Sequence, residues 1–172
     1  NKVVFNVRAS YFDETEAQVE HLTKDLGIKK IGVFIQDDAY GAAGKGGVLK
    51  ALSKRSLTLA GEGKYKRNTV EVDDGVATLK AAQPEAIVMV GAYKACAAFV
   101  KKAKAQGIQA KFLNVSFVGT MDFIKEAGPD GDGVYITQVV PAPDDDSVPI
   151  VKKYQGDMKA AGKNEFDYTS LE

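Results

Sequence analysis

The 172-residue sequence has one cysteine, one histidine and no excess of either charge. A lone cysteine, Cys96, excludes an internal disulfide. It falls in an alanine-rich stretch that reads as helix, where cysteine acts as a small buried apolar residue. A catalytic thiol would need a neighbouring histidine, and His21 is the only one in the chain. One histidine and one cysteine cannot make an ordinary zinc site without several carboxylates. Lys plus Arg number 23 and Asp plus Glu number 23, so the formal net charge is zero. That removes the electrostatic basis for a nucleic-acid partner, which needs a basic excess on one face. No apolar run approaches the ~18 residues that cross a membrane as a helix. The first residue is not Met, and Val3-Val4-Phe5 already reads as strand, so the numbering is expected to describe a processed or trimmed chain.

Several motifs are also missing. A phosphate loop requires GxxxxGK[ST]; the run Gly41-Ala-Ala-Gly-Lys-Gly-Gly lacks both the Ser/Thr and the spacing. A dinucleotide fingerprint fails as well, because Gly44-Lys45-Gly46 leads to Leu49 where the third glycine belongs. These glycines suit a helix start packed tightly on a sheet, or a backbone that approaches a ligand. A phosphoryl-accepting receiver domain needs an aspartate ending the third sheet strand and a lysine ending the fifth. Those positions hold Gly91-Ala92 and Gln138-Val139-Val140. No G-x-S-x-G elbow exists, and Ser116 sits in Asn-Val-Ser-Phe-Val-Gly. With no second histidine to act as base, a hydrolytic triad has no support. No cofactor and no metal are expected, and the chain is read as something other than an enzyme.

What is present is an ordinary globular composition, 45% apolar and 27% charged. Helices and strands alternate throughout. Val3 to Arg8 reads as a short strand. Tyr11 to Leu26 reads as a helix with Val19, Leu22 and Leu26 inward, Asp13, Glu14 and Glu16 near its positive end, and Gly27 as its stop. Lys29 to Gln36 is the first sheet strand. A helix over 41–53 follows, with Val48, Leu49 and Leu52 on one face. Next come a strand over 56–65 and a helix from Asn68-Thr69 to before Pro84, with Val72, Val76 and Leu79 inward. The continuous apolar run Ala86 to Val90 marks a strand covered on both faces. A helix over 93–106, a strand over 110–115, a short helix over 119–127 and a strand over 133–140 come after it. A Pro/Asp loop over 141–149 leads to a final helix over 150–161.

Helices separating every pair of strands argue for an α/β fold, a three-layer α/β/α sandwich around a five-stranded, mainly parallel sheet. The common order for such a sheet is 2-1-3-4-5, and ligands bind where the winding reverses, beyond the ends of strands one and three. Two stretches of one design end there: KKIGVFIQDDAYG over 29–41 and EAIVMVGAY over 85–93. Each is an apolar strand running into a turn and a tyrosine. Tyr40 and Tyr93 are therefore expected to come together on one wall of a ligand site, each ring giving apolar contact and a hydroxyl. Asp37 and Asp38 read either as solvated loop residues or helix caps, or, in an enzyme on the same open sheet, one of them as an acid or base.

The ordered set of motifs resembles the second lobe of a type I periplasmic binding protein, of the branched-chain amino-acid (Leu/Ile/Val) ABC-transporter family. The likeness runs over nearly the whole chain. It is carried by Val4-Phe5-Asn6-Val7-Arg8-Ala9-Ser10, by Gln18 and His21-Leu22, by Ile31 to Gly41, by YKRNT over 65–69, by FLNVSF over 112–117, by GDGVY over 131–135 and by Asp167-Tyr168. The resemblance implies an inter-lobe crossover over 1–10, a ligand-binding lobe over 11–162 and a return over 163–172 toward another lobe of the same protein. It implies ligand contacts at Tyr40 and Tyr93, and at Ser116, Phe117, Asp38 and Ala92 around them. Where the branched-chain binders carry a glutamate for the ligand's ammonium, this chain has Ser116. A neutral hydroxyl cannot compensate a charge in a dry cleft. Either Asp37, Asp38 or Asp122 takes over, or the ligand is not a simple α-amino acid. Phe117 suits a flat ligand. The implied activity is capture of a small solute, an amino acid or analogue, for an ABC permease, with a ligand-sensing receptor domain as the alternative. The implied location is periplasmic or extracellular, with or without a lipid anchor.

Overall fold

The computed structural model describes residues 8–172. The strand read at Val3 to Arg8 and most of the 1–10 crossover lie outside the described residues.

The chain first forms helix α1 (Tyr11–Glu20). Ser10 caps it: its hydroxyl accepts from the Asp13 amide, and the Asp13 carboxylate accepts from the Ser10 amide, a reciprocal capping box. The next turn, His21–Asp25, is a π-helix, in which the Leu26 amide reaches back to the His21 carbonyl. The extra residue rotates the helix face. Val19 and Leu22 stay buried as expected, but Leu26 is turned to solvent, 39% exposed. Strand β1 (Ile31–Gln36) follows, buried at every position.

Helix α2 (Ala39–Ser53) is capped by Asp38, whose carboxylate accepts from the amides of Tyr40 and Gly41. Its glycines are packing residues. A Cβ on Gly41 would lie 1.9 Å from the Gln36 carbonyl oxygen, and one on Gly44 would lie 2.6 Å from the Val90 side chain. Val48 and Leu52 point inward, whereas Leu49, expected on the same face, is exposed.

Strand β2 (Glu62–Tyr65) is shorter than the strand read over 56–65. Ser56 adopts a positive φ of 55° and turns the chain, and pairing with β1 begins only where the Ala60 amide meets the Ile31 carbonyl. Helix α3 (Asp73–Ala82) begins later than Asn68-Thr69, because Asn68 sits at φ 63° in a turn closed by Thr69. Val72, Val76 and Leu79 are buried as expected. Strand β3 (Ala86–Val90), helix α4 (Tyr93–Ala105) and strand β4 (Lys111–Asn114) then repeat the pattern. A 3-10 turn over Ser116–Val118 precedes helix α5 (Thr120–Ala127). Strand β5 is only Tyr135–Ile136, not 133–140. Helices α6 (Pro149–Ala160) and α7 (Tyr168–Leu171) end the chain.

The five strands form one sheet in the order β2-β1-β3-β4-β5, with every pairing parallel. Alternate residues feed two cores. Ile31, Val33 and Ile35 join Val88 and Val90 beneath α1 and α2. Phe34, Ile87, Met89 and Phe112 join Phe99, Val100 and Phe123 beneath α3, α4 and α5. Phe34 stacks on Phe99 with centroids 3.9 Å apart. Cys96 is fully buried in α4, where loss of hydration pushes its thiol far above the ordinary range, so it acts as an apolar residue. The fold read from the alternation of strands and helices is the one observed.

Candidate functional site

Strands β1 and β3 are hydrogen-bonded neighbours, in register from Ile31 opposite Ala86 to Ile35 opposite Val90. Their ends therefore lie side by side, at the point where the winding reverses. What joins them is Tyr65, at the end of β2. Its buried hydroxyl donates to Gln36 Oε1 over 2.9 Å and accepts from the Ala92 amide over 3.0 Å. Gln36 in turn donates through Nε2 to Asp38 Oδ2 over 2.6 Å. One chain of hydrogen bonds thus runs from the start of α4, across the sheet, to the cap of α2. Burial pushes the Tyr65 phenol up to about 12, the hydrogen bond from Ala92 opposing.

This network defines the role of Asp38. Loss of hydration alone would raise its carboxyl. The hydrogen bonds from Gln36 and from the Gly41 and Tyr40 amides, with Arg67 nearby, outweigh that and hold it below the ordinary value. Its acceptor sites are occupied as a helix cap. Asp37 is mostly exposed and pairs with Lys64 at 3.0 Å. The cavity beside Asp37 is a charged surface hollow that includes Glu62, Lys64 and Glu71, and Asp37 is spent there on its ion pair.

The apolar-and-polar cavity lies at the ends of β3 and β4. Its volume is about 580 Å³, and its walls include Arg8, Ala92, Tyr93, Ser116, Phe117 and Asp122, with Asp167 and Glu172 closing one side. Four of the residues expected at the site, Ala92, Tyr93, Ser116 and Phe117, line it together. Tyr40 and Asp38 do not. Tyr40 stands behind Phe117, with centroids 5.5 Å apart and planes at 66°, and against Tyr11 at 5.4 Å. Its hydroxyl is buried without a partner, and burial raises its phenol well above the usual range. So Tyr40 and Tyr93 are not two faces of one wall: Tyr93 borders the cavity and Tyr40 supports Phe117. Phe117 itself is 58% exposed.

Ser116 is not a bare hydroxyl. Glu14 of α1, only 4% exposed, accepts from the Ser116 amide at 2.8 Å and from its hydroxyl at 3.0 Å. Glu14 also accepts from Thr137 at 2.8 Å. Arg8 donates to the Ser116 hydroxyl, lies 3.7 Å from Glu14 and pairs with Glu172 at 3.1 Å. Its guanidinium sits 5.5 Å from the centre of the Phe117 ring and 5.7 Å from that of Tyr11. A carboxylate therefore does stand at this corner, but it comes from the first helix and is already neutralised. In the sequence, Glu14 reads as a charge for the helix end and Arg8 as part of the crossover. The signal for a buried role is polar periodicity: Glu14, Thr15 and Gln18 share the buried face of α1 with Val19 and Leu22. Elsewhere in the cavity wall, Asp167 keeps a buried carboxylate oxygen without a donor, and Asp122 is exposed.

Among the described residues no group of three or more His, Cys, Asp or Glu is placed to hold a metal ion. No described helix is long and apolar enough to cross a membrane.

Comparison with known proteins agrees with this architecture. A structure described as that of a possible leucine/isoleucine/valine-binding protein from Rhodopirellula baltica is 38% identical, with a TM-score of 0.92 over 99% of this chain and 48% of that one. A substrate-binding periplasmic protein from Ralstonia solanacearum is 27% identical, with a TM-score of 0.87 over 99% and 49% of the two chains. A leucine-binding protein from Thermotoga maritima shares the fold at 18% identity and a TM-score of 0.81, over 96% and 46%. The chain thus spans about half the length of these proteins. Comparison with curated proteins finds no match. The profile of the family described as periplasmic binding protein matches residues 1–171, and the chain belongs to that family.

Proposed function

We propose that this chain is the second lobe of a two-lobed solute-binding protein, with its boundaries near residues 11 and 162. In the periplasm or outside the cell, it captures an amino acid or a related small organic acid for an ABC permease in the membrane. The observation that carries this reading is the 580 Å³ cavity at the ends of β3 and β4, with an exposed aromatic ring and polar groups converging on it. The half-length match to proteins described as leucine/isoleucine/valine-binding and substrate-binding supports it. Selection is by shape and hydrogen bonding, without covalent chemistry. Phe117 gives a flat apolar surface, and Tyr93 frames it. The ligand's ammonium, where it has one, goes to Asp167 and Asp122, since Glu14 is occupied by Ser116, Thr137 and Arg8.

Calorimetry on the two-lobed protein tests this, with a panel of amino acids, small carboxylates and aromatic acids. A panel member is expected to bind, and Phe117→Ala or Tyr93→Ala is expected to weaken it by roughly tenfold or more, as loss of a central aromatic anchor does. The reading fails if no panel compound binds, or if binding is indifferent to both substitutions in folded variants.

A further inference from the structure

The corner of the cavity around Ser116 has the composition of a cation receptor. Tyr11, Tyr40 and Phe117 form a continuous run of rings, with centroid spacings of 5.4 and 5.5 Å. Beneath them lies Glu14, 4% exposed, presented through Ser116. Aromatic faces and a desolvated carboxylate are the two elements that bind guanidinium and ammonium groups, because the ring quadrupole and the fixed negative charge act together where water is excluded. The chain supplies such a group itself. Arg8 lies within 6 Å of two of the rings and bridges Ser116, Glu14 and Glu172.

We propose that Tyr11 and Phe117, buttressed by Tyr40 and floored by Glu14 and Ser116, form a cation-binding box that the chain fills with its own Arg8, and that Arg8 is thereby the specificity-determining residue of this corner. A bare Glu14 would draw a ligand's cationic group here. With Arg8 seated, the carboxylate is paired and a guanidinium already lies over the Tyr11 and Phe117 rings. A ligand then meets this corner only with a neutral or anionic group, and any cationic group is left to the other carboxylates of the wall, Asp167 and Asp122. The statement about specificity rests on the cavity being the ligand wall; the box does not.

The 172-residue chain carrying Arg8→Ala provides the test, titrated with guanidinium chloride at millimolar concentration against sodium chloride of equal ionic strength. The Tyr40 and Phe117 ring resonances and the thermal midpoint are read. In the variant the shifts are expected to saturate and the lost thermal stability to return. Wild type should show neither effect, and Arg8→Ala with Glu14→Gln should lose both. If Arg8→Ala does not fold, Arg8→Met keeps the packing of the stem and carries the same titration. A response equal to that of wild type, or one that persists without Glu14, overturns the box. In the two-lobed protein, Arg8→Ala is expected to gain binding of methylguanidinium in the cleft. Rescue of the chain without that gain overturns the role in specificity. Failure of the solute-binding reading looks different: the wild-type protein binds no panel compound while the rescue is unchanged.

Discussion

A single phenolic oxygen, that of Tyr65, holds three segments in register. It takes the Ala92 amide at the start of α4 and gives its proton to Gln36 at the end of β1. Both partners are otherwise committed to this spot: Gln36 continues to Asp38, and Ala92 lines the cavity. Tyr65→Phe keeps the ring's stacking on Phe34 but strands a buried acceptor and an amide. The expected cost is about 1–3 kcal/mol, the range for leaving such groups unsatisfied, measured by denaturant unfolding. A value near zero would mean that water replaces the hydroxyl. None of this could be read from the chain alone. Tyr65 was visible as part of YKRNT, but a buried hydroxyl between two loop ends leaves no periodic trace. Glu14 is similar: its distance from Ser116, 102 positions along the sequence, is bridged only by the tertiary fold.

At the level of elements, the alternation of apolar runs and amphipathic stretches was enough to read the sheet and its strand order. Continuous apolar runs such as Ala86 to Val90 can only be covered on both faces, and the short links leave few topologies. The errors fall where local geometry departs from a regular period. The π-turn at His21–Asp25 moved Leu26 outward, and positive φ at Ser56 and Asn68 delayed β2 and α3. The glycines of α2 carry a prediction at this scale. Gly41 has the Gln36 carbonyl where a methyl would go, so Gly41→Ala must displace either the helix start or the end of β1. An expected loss of about 1–3 kcal/mol follows from overpacking. It should appear as a lowered denaturant midpoint, together with shifted amide resonances at Asp38 to Ala42. By contrast, Gly27, which meets nothing within 4 Å but holds φ at 69°, resists alanine by backbone strain alone.

Over the whole molecule, the titrating groups define a stability window. Asp13, Asp38 and Glu16 are held below their ordinary values of 3.8, 3.8 and 4.5. For Asp13 the hydrogen bonds from Ser10 are the cause, and for Glu16 those from Lys54 and Arg55. Their folded values being depressed, their contribution is complete above the ordinary values and is lost as pH falls through the folded ones. At the alkaline side the sign reverses. Lys64 and Lys153 are raised above 10.5 by Asp37 and Asp157, and Tyr65 is raised from 10.0 to about 12. Those contributions are complete below the ordinary values and fade as pH rises through the folded ones. Unfolding midpoints are therefore expected to be flat between the ordinary carboxylate value of 4.5 and the ordinary thiol value of 9.0, above which buried Cys96 is the first raised group to lose its contribution, and to fall on both sides. Asp38→Asn should lessen the acid slope; an unchanged slope would remove the cap from this account.

The pairing of Arg8 with Glu172 has one more consequence. Two residues 164 positions apart in the numbering meet at 3.1 Å, so the chain enters and leaves the described fold through one doorway. A unit whose ends converge can be lifted out and set into a surface loop of an unrelated host without stretching either body. The doorway also opens beside the cavity. A host that grips both ends would therefore hold Arg8, and through its contacts the turn that carries Ser116 and Phe117.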